Sequence, residues 1–283
     1  MENVKLIECP RDAMQGLHDF IPTEDKIRYI NTLLTCGFDT IDFGSFVSPK
    51  AIPQMRDTAQ VLEGLNQSES KLLAIVANER GANDASAFDR IDYLGYPFSV
   101  SEEFQKRNTN ATIDESFERV ERIQEIATKS NKELVLYLSM GFGNPYGEEW
   151  HPDIVTAWCE KLYTKLDVKI QALSDTIGAG TPEIVSSLFE TLIPSLTDVS
   201  FGAHLHTIPE NAKHLIAAAY QGGCRRFDGA IKGFGGCPMA KDDLTGNMPT
   251  ERMLEWFQEN AIETGVNEER FNESMTEALK VFP

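Results

Sequence analysis

Val199-Ser200-Phe201-Gly202-Ala203-His204-Leu205-His206-Thr207 is the stretch on which the reading of this chain turns. Its β-branched and aromatic start predicts a strand, and the strand runs off its C-terminal end into two histidines. Side chains two apart on a strand project from one face, so His204 and His206 can converge on a single point. Two imidazoles at one strand edge begin a divalent-metal site. An isolated His-x-His is more often one packed and one exposed histidine; further oxygen ligands at equivalent places in the chain shift the balance here.

Seven other short apolar runs resemble this one. With it, residues 4–9, 40–43, 72–76, 91–96, 134–139, 170–173, 199–203 and 226–231 make eight strand candidates, with a helical pattern or loop between each pair. Thr23 precedes apolar Ile27, Ile30 and Leu34 at helical spacing, and Gly37 follows as a stop. Thr181-Pro182-Glu183 sets an N-cap, a first-turn proline and an early acid before 184–192, and Thr250-Glu251 opens 253–264 in the same fashion. Residues 114–127 and 152–166 are the other long helical segments. Eight strands alternating with helices over about 250 residues predict a (β/α)8 TIM barrel. A doubly wound open sheet is the alternative, because strand order is invisible in one sequence. No linker, repeat or low-complexity stretch divides the chain, so 1–283 is expected to be one domain, with an extra C-terminal helix after about Thr264.

In such barrels the chemistry sits at the C-terminal strand ends. Strand one ends in Cys9-Pro10-Arg11-Asp12, strand two contains Asp42, strand six ends in Ser174-Asp175-Thr176, and strand eight runs into Lys232-Gly233-Phe234-Gly235-Gly236-Cys237. On a loop leaving strand one, Asp12 can join the histidines at a metal while Arg11 faces a substrate; a surface ion pair is the ordinary reading of Arg-Asp. Asp42 and Asp175 are candidates to orient ligands or accept protons, and a buried salt bridge explains either equally well. The glycine run is not a dinucleotide fingerprint, since Pro238 stands where the last glycine is needed. It suits a loop that closes over a substrate and brings Cys237 with it as proton donor or nucleophile. Asn247 can offer its amide oxygen to the metal, although Gly246-Asn247 alone is a turn signal. Two imidazoles, a carboxylate and open positions favour Mg2+ or Mn2+; Zn2+ ranks behind, as no cysteine stands in the ligand set. His18, His151 and His214 have no comparable setting.

The composition is ordinary for a globular chain, 41% hydrophobic and 25% charged. The net charge of −18 argues against nucleic acid and anionic membrane surfaces as partners. Five cysteines with no C-x-x-C pair, and Met1–Lys5 without the shape of a signal peptide, lead us to expect a reducing cytoplasm.

Taken together, Pro10-Arg11-Asp12-Ala13-Met14-Gln15, Ser45-Phe46-Val47-Ser48-Pro49-Lys50 with Pro53-Gln54-Met55, Asp175-Thr176-Ile177-Gly178-Ala179-Gly180-Thr181-Pro182, His204-Leu205-His206, Gly235-Gly236-Cys237-Pro238 and Gly246-Asn247 resemble the 3-hydroxy-3-methylglutaryl-CoA lyases. These belong with the metal-dependent barrel lyases and condensing enzymes. The resemblance runs in order from near residue 4 to about residue 265. It implies Asp12, His204, His206 and Asn247 as metal ligands, Arg11 as the stabiliser of an enolate and Cys237 as a proton donor on a mobile loop. It makes Asp42, Asp175 and Glu251 supporting polar groups. The implied reaction cleaves an acyl-CoA thioester to acetyl-CoA and acetoacetate, a late step of leucine breakdown and ketone-body formation, and the implied assembly is a dimer. The chain departs from the usual pattern at Cys9 and Ala13 around the Arg-Asp pair, at Asp42 for a glutamate, at Ala172 and Ser174 in the sixth strand, at Met140, and at Thr207. These departures bear on the acyl pocket rather than on the metal or Arg11. Rival readings are an aldolase or condensing enzyme acting on 2-oxo acids, and an inactive barrel kept as a binding subunit.

Overall fold

The structure, a computed structural model, describes residues 4–236 and 245–282. Its eight strands are β1 (Lys5–Glu8), β2 (Thr40–Ser45), β3 (Lys71–Ile75), β4 (Tyr93–Ser99), β5 (Glu133–Ser139), β6 (Ile170–Asp175), β7 (Ser200–Leu205) and β8 (Arg226–Gly229). Each pairs in parallel with the next, and β1 pairs with β8 from Lys5↔Arg226 to Glu8↔Gly229, closing a TIM barrel. That closure removes the open-sheet alternative. All eight expected strands are present with shifted ends. β7 continues to Leu205, so His204 lies inside the sheet, opposite Ser174 of β6 and Asp228 of β8. β4 extends through Pro97 to Ser99, held by its ladder with β5.

The strands are buried on both faces, as parallel sheets wrapped in helices are. Leu73, Ile75, Val135, Tyr137 and Ala172 fill the barrel interior as one cluster. Gly95 of β4 makes room for them: a Cβ there would stand 2.5 Å from Ile75 Cδ1 and 3.2 Å from Tyr137 Cε2. The opposite strand faces pack against the helices in a second, larger apolar layer. β2 shifts register against β3 between Asp42 and Gly44, an irregularity of the kind that re-aims side chains beside functional sites.

Helix punctuation matches expectation in some places and not in others. The helix Pro152–Leu166 begins after His151, whose Nδ1 accepts from the Asp153 N–H. Ile113–Lys129 has a full capping box between Thr112 and Glu115, and Thr181 caps Pro182–Ser195. Thr23, read as a cap, is instead the first residue of Thr23–Leu33, and its hydroxyl donates to Asp57 at 2.8 Å. Thr250 likewise starts Thr250–Glu259 rather than capping it, because its hydroxyl donates to buried Glu8 at 2.6 Å. That helix stops at Glu259 and not near Thr264, and Ala261 follows at φ +55°. The expected terminal helix, Glu268–Val281, packs on Thr23–Leu33 through Tyr29 against Phe282 and a 3.2 Å contact of Cys36 Sγ with Ser274 Oγ.

Gly95→Val forces two methyl groups against Ile75, Leu73 and Tyr137, so it is expected to destabilise the fold by about 1–3 kcal/mol. Urea denaturation checks this; an unchanged midpoint at an unchanged slope would mean that the interior has room there.

Candidate active site

Arg11 and Asp12 sit on a short helix, Pro10–Gln15, and not on the loop expected after β1. Proline at its first position has no N–H to leave unpaired, and six residues are too few for a periodic signal. Both side chains are buried. Arg11 reaches Asp42 on β2 through Nε (3.0 Å) and Nη2 (2.5 Å), and Asp12 (2.6 Å) and Gln15 (2.9 Å) through Nη1. A guanidinium has five N–H donors. These contacts use four, so among the described residues one Nη2–H stays available. Burial pushes the Asp42 carboxyl up and Arg11 pulls it back, leaving it at about 6. Burial also pushes Asp12 up, but Arg11 and then the two histidines outweigh it and hold Asp12 at about 2.

His204 and His206 face the same side, with ring centroids 5.4 Å apart. Asp12, His204 and His206 each offer a ligand atom, and these atoms lie within 4.8 Å of one another. Asn247 joins them through a β-bridge with His206, and its Nδ2 donates to Asp12 Oδ2 at 2.8 Å. His206 Nδ1 is buried and has no hydrogen-bond partner among the described residues. Burial, then the neighbouring His204, lowers His206 to about 4, so at neutral pH its ring is neutral and one nitrogen keeps its lone pair. A deprotonated carboxylate, a neutral imidazole and an orphaned buried nitrogen fit a divalent cation. Cys9, His204 and Asp228 also approach one another. They are the poorer set: burial and three nearby carboxylates keep the Cys9 thiol protonated, and Asp228 is already paired with Arg226 at 2.8 Å.

The other expected residues are placed apart from this group. Asp175 accepts from the Ala179 and Gly180 N–H groups at 2.9 and 2.7 Å, so it organises the turn after β6. Glu251 accepts from the Lys232 N–H at 2.9 Å and fixes the backbone after β8, where Lys232 has φ +56°. Cys237 lies outside the described residues. Four participants carried no assigned role in the sequence reading. Gln15 bridges Arg11 and Asp12. Glu8 accepts from the Ile231 N–H and the Thr250 hydroxyl. Asp228 contacts His204, and Arg226 holds Asp228. The signal for the last pair was Arg226-Phe227-Asp228, two opposite charges on one face of a strand with no solvent to meet them.

The cluster opens into a cavity of about 660 Å3. Arg11, Asp12, His204 and His206 stand at its polar end, Val47, Ile52, Ile75, Pro97 and Phe104 along its apolar wall, and Arg107 and Arg119 also line it.

A closed barrel with a fixed guanidinium beside a carboxylate–imidazole cluster at its strand ends defines a TIM-barrel enzyme built around a site able to hold a metal ion. Residues 3–276 match the HMGL-like family, and the chain belongs to it. It is 33% identical over 268 residues to the cytoplasmic 3-hydroxy-3-methylglutaryl-CoA lyase of Rattus norvegicus, covering 94% of this chain and 77% of that one. It is also 33% identical to the 3-hydroxy-3-isohexenylglutaryl-CoA/hydroxy-methylglutaryl-CoA lyase of Pseudomonas aeruginosa, over 94% of this chain and 88% of the relative. The crystal structure of the HMG-CoA lyase from Brucella melitensis superposes with a TM-score of 0.90 at 31% identity, covering 99% of each chain. The chain is therefore a carbon–carbon lyase.

Burial raises the Glu8 carboxyl to about 8, against its hydrogen bonds from Thr250 and Ile231. A carboxyl raised on folding contributes stability that is full below its unfolded value of 4.5 and is lost as pH rises through about 8. Glu8→Gln keeps a neutral acceptor and has no such loss. Its stability relative to the parent is expected to rise between pH 4.5 and 8, and chemical denaturation across that range checks it; a difference independent of pH would place an ionised Glu8 in the folded chain.

Proposed function

We propose that this chain cleaves 3-hydroxy-3-methylglutaryl-CoA to acetyl-CoA and acetoacetate, using Mg2+ or Mn2+ held by Asp12, His204, His206 and Asn247. The observation that carries the reading is one cavity end where a clamped guanidinium with an unused N–H adjoins the Asp12–His204–His206 cluster. A divalent cation held there would supply Lewis acidity to the oxygens at the substrate's carbinol end. The hydroxyl gives its proton to solvent in the cavity as the bond from the carbinol carbon to the thioester α-carbon breaks. The carbinol carbon becomes the ketone of acetoacetate, and the electron pair passes to the thioester as an enolate. Arg11 meets that oxygen with its Nη2–H, without reorganising, because Asp42 and Asp12 already hold the guanidinium. Cys237 is our choice of acid to protonate the enolate carbon, giving acetyl-CoA. Asp175 and Glu251 support the site by fixing the backbones that carry it. The apolar wall suits a pantetheine arm, and Arg107 and Arg119 offer cations to the phosphates of coenzyme A beyond it. The four cysteines among the described residues are free and buried, in keeping with a reducing compartment, and we assign the chain to the cytoplasm, as a single-domain barrel that pairs as a dimer.

A second reading keeps the chemistry and changes the 3-substituent. The Pseudomonas aeruginosa relative carries two substrate names, and an apolar pocket separates homologues by only ~1–3 kcal/mol. Comparison of kcat/KM across 3-hydroxy-3-alkylglutaryl-CoA thioesters and 4-hydroxy-2-oxo acids decides. Preference for another thioester corrects the pocket, whereas preference for a 2-oxo acid overturns the substrate class.

His206→Ala is expected to abolish Mg2+- or Mn2+-dependent acetyl-CoA release with the fold intact by circular dichroism; full activity of that variant in excess chelator would sink the metal reading. Arg11→Met is expected to lower kcat by ~10²-fold or more with KM nearly unchanged. A rise in KM alone would make Arg11 a binding residue.

A further inference from the structure

Beneath the histidines the barrel interior carries a second ion pair that the reaction as derived leaves unused. Arg226 and Asp228 alternate inward on β8, and the β7–β8 register sets them against Gly202 and His204. Arg226 Nη1 donates to Asp228 Oδ1 at 2.8 Å, and Asp228 Oδ2 lies 3.3 Å from His204 Nδ1. Asp228 is 2% exposed and Arg226 5%. The arrangement is built and not incidental: a Cβ on Gly202 would stand 2.9 Å from Arg226 Nη1, so the glycine opens the space through which the guanidinium reaches Asp228.

We infer that Arg226 and Asp228 are positioning residues for this reaction, a guanidinium–carboxylate pair that fixes His204 with its proton on Nδ1 and its lone pair on Nε2. A carboxylate held by a guanidinium is an acceptor only, so the imidazole nitrogen facing it must be the donor. Nε2 is then the ligand nitrogen. Arg226 also keeps the charge beneath the site in balance. Asp12, Asp42 and Asp228 set three carboxylates against the guanidiniums of Arg11 and Arg226, a net charge of −1 before any cation arrives. The inference rests on the metal reading above, and its test separates the two.

The experiment uses the full chain, without substrate. Nitrogen-15 NMR of histidine-labelled, metal-free protein at pH 8, with His204 assigned through a His204→Gln variant, is expected to find His204 as the Nδ1–H tautomer. A wild-type His204 in the Nε2–H tautomer overturns the inference whether or not any variant at 228 folds. Mn2+ titration followed by electron paramagnetic resonance is expected to give Asp228→Asn a Kd 10- to 100-fold weaker than wild type, about the range for loss of a partner behind a histidine ligand. A Kd within twofold of wild type overturns the positioning role and leaves the metal reading standing. Failure of the wild type itself to bind Mn2+ overturns the metal reading, and this inference with it.

Discussion

A charge taken out of water must be paired or it costs several kcal/mol, and this constraint organises the barrel mouth. Arg11 is the pivot. It lies in the interior between Asp42 and Asp12, and its Nη1 carries Gln15 as well. Removing one partner of such a pair typically costs 3–5 kcal/mol, because the other charge is left buried and alone. The network therefore fixes Asp12 in place before any ligand arrives, and Asn247 and the two histidines are set around a carboxylate that cannot rotate freely.

The remainder of the fold supplies the register that makes this pairing feasible. Parallel closure puts β1, β2, β7 and β8 on adjoining arcs, so groups from four strands or their ends meet on one side of the barrel mouth. Two glycines decide what the interior can hold. Gly95 admits the apolar plug of Leu73, Ile75 and Tyr137, while Gly202 admits a charged side chain on the other side of the barrel. The interior is thus apolar across β3–β6 and ionic across β7, β8, β1 and β2.

That division also explains which parts were legible in the sequence. The strands announce themselves through apolar runs, and His-x-His and Arg-Asp stand out because polar residues at strand ends are conspicuous. Helices such as Pro152–Leu166 were readable to the residue, since proline and a periodic face mark both start and extent. Features set by distant partners were not. Thr250 carries every local sign of a cap, yet its hydroxyl serves Glu8, which is 242 residues earlier. Pro10–Gln15 is too short to show a period. Arg226 and Asp228 were counted as strand, and their alternation with Phe227 gained meaning only once β8 was known to face His204.

The site separates two demands that many enzymes mix. Charged groups gather on β1, β2, β7 and β8 and the short helix after β1, whereas the apolar wall comes from the segments after β2, β3 and β4, through Val47, Ile52, Ala77 and Phe104. Substitutions along that wall bear on the fit of the carrier arm and involve none of the ion pairs of the network. The chain carries a net charge of −18, so an anionic thioester gains nothing from the overall field. The local cations of the cavity are Arg107 and Arg119 along its lining and Arg11 at its polar end. The outer pair is partly engaged with Glu103 and with backbone carbonyls, so its strength is tunable without cost to the interior. On the reading proposed above, the carrier arm is therefore served by the wall and the outer arginines, and the acyl end by Arg11 and the Asp12–His204–His206 cluster.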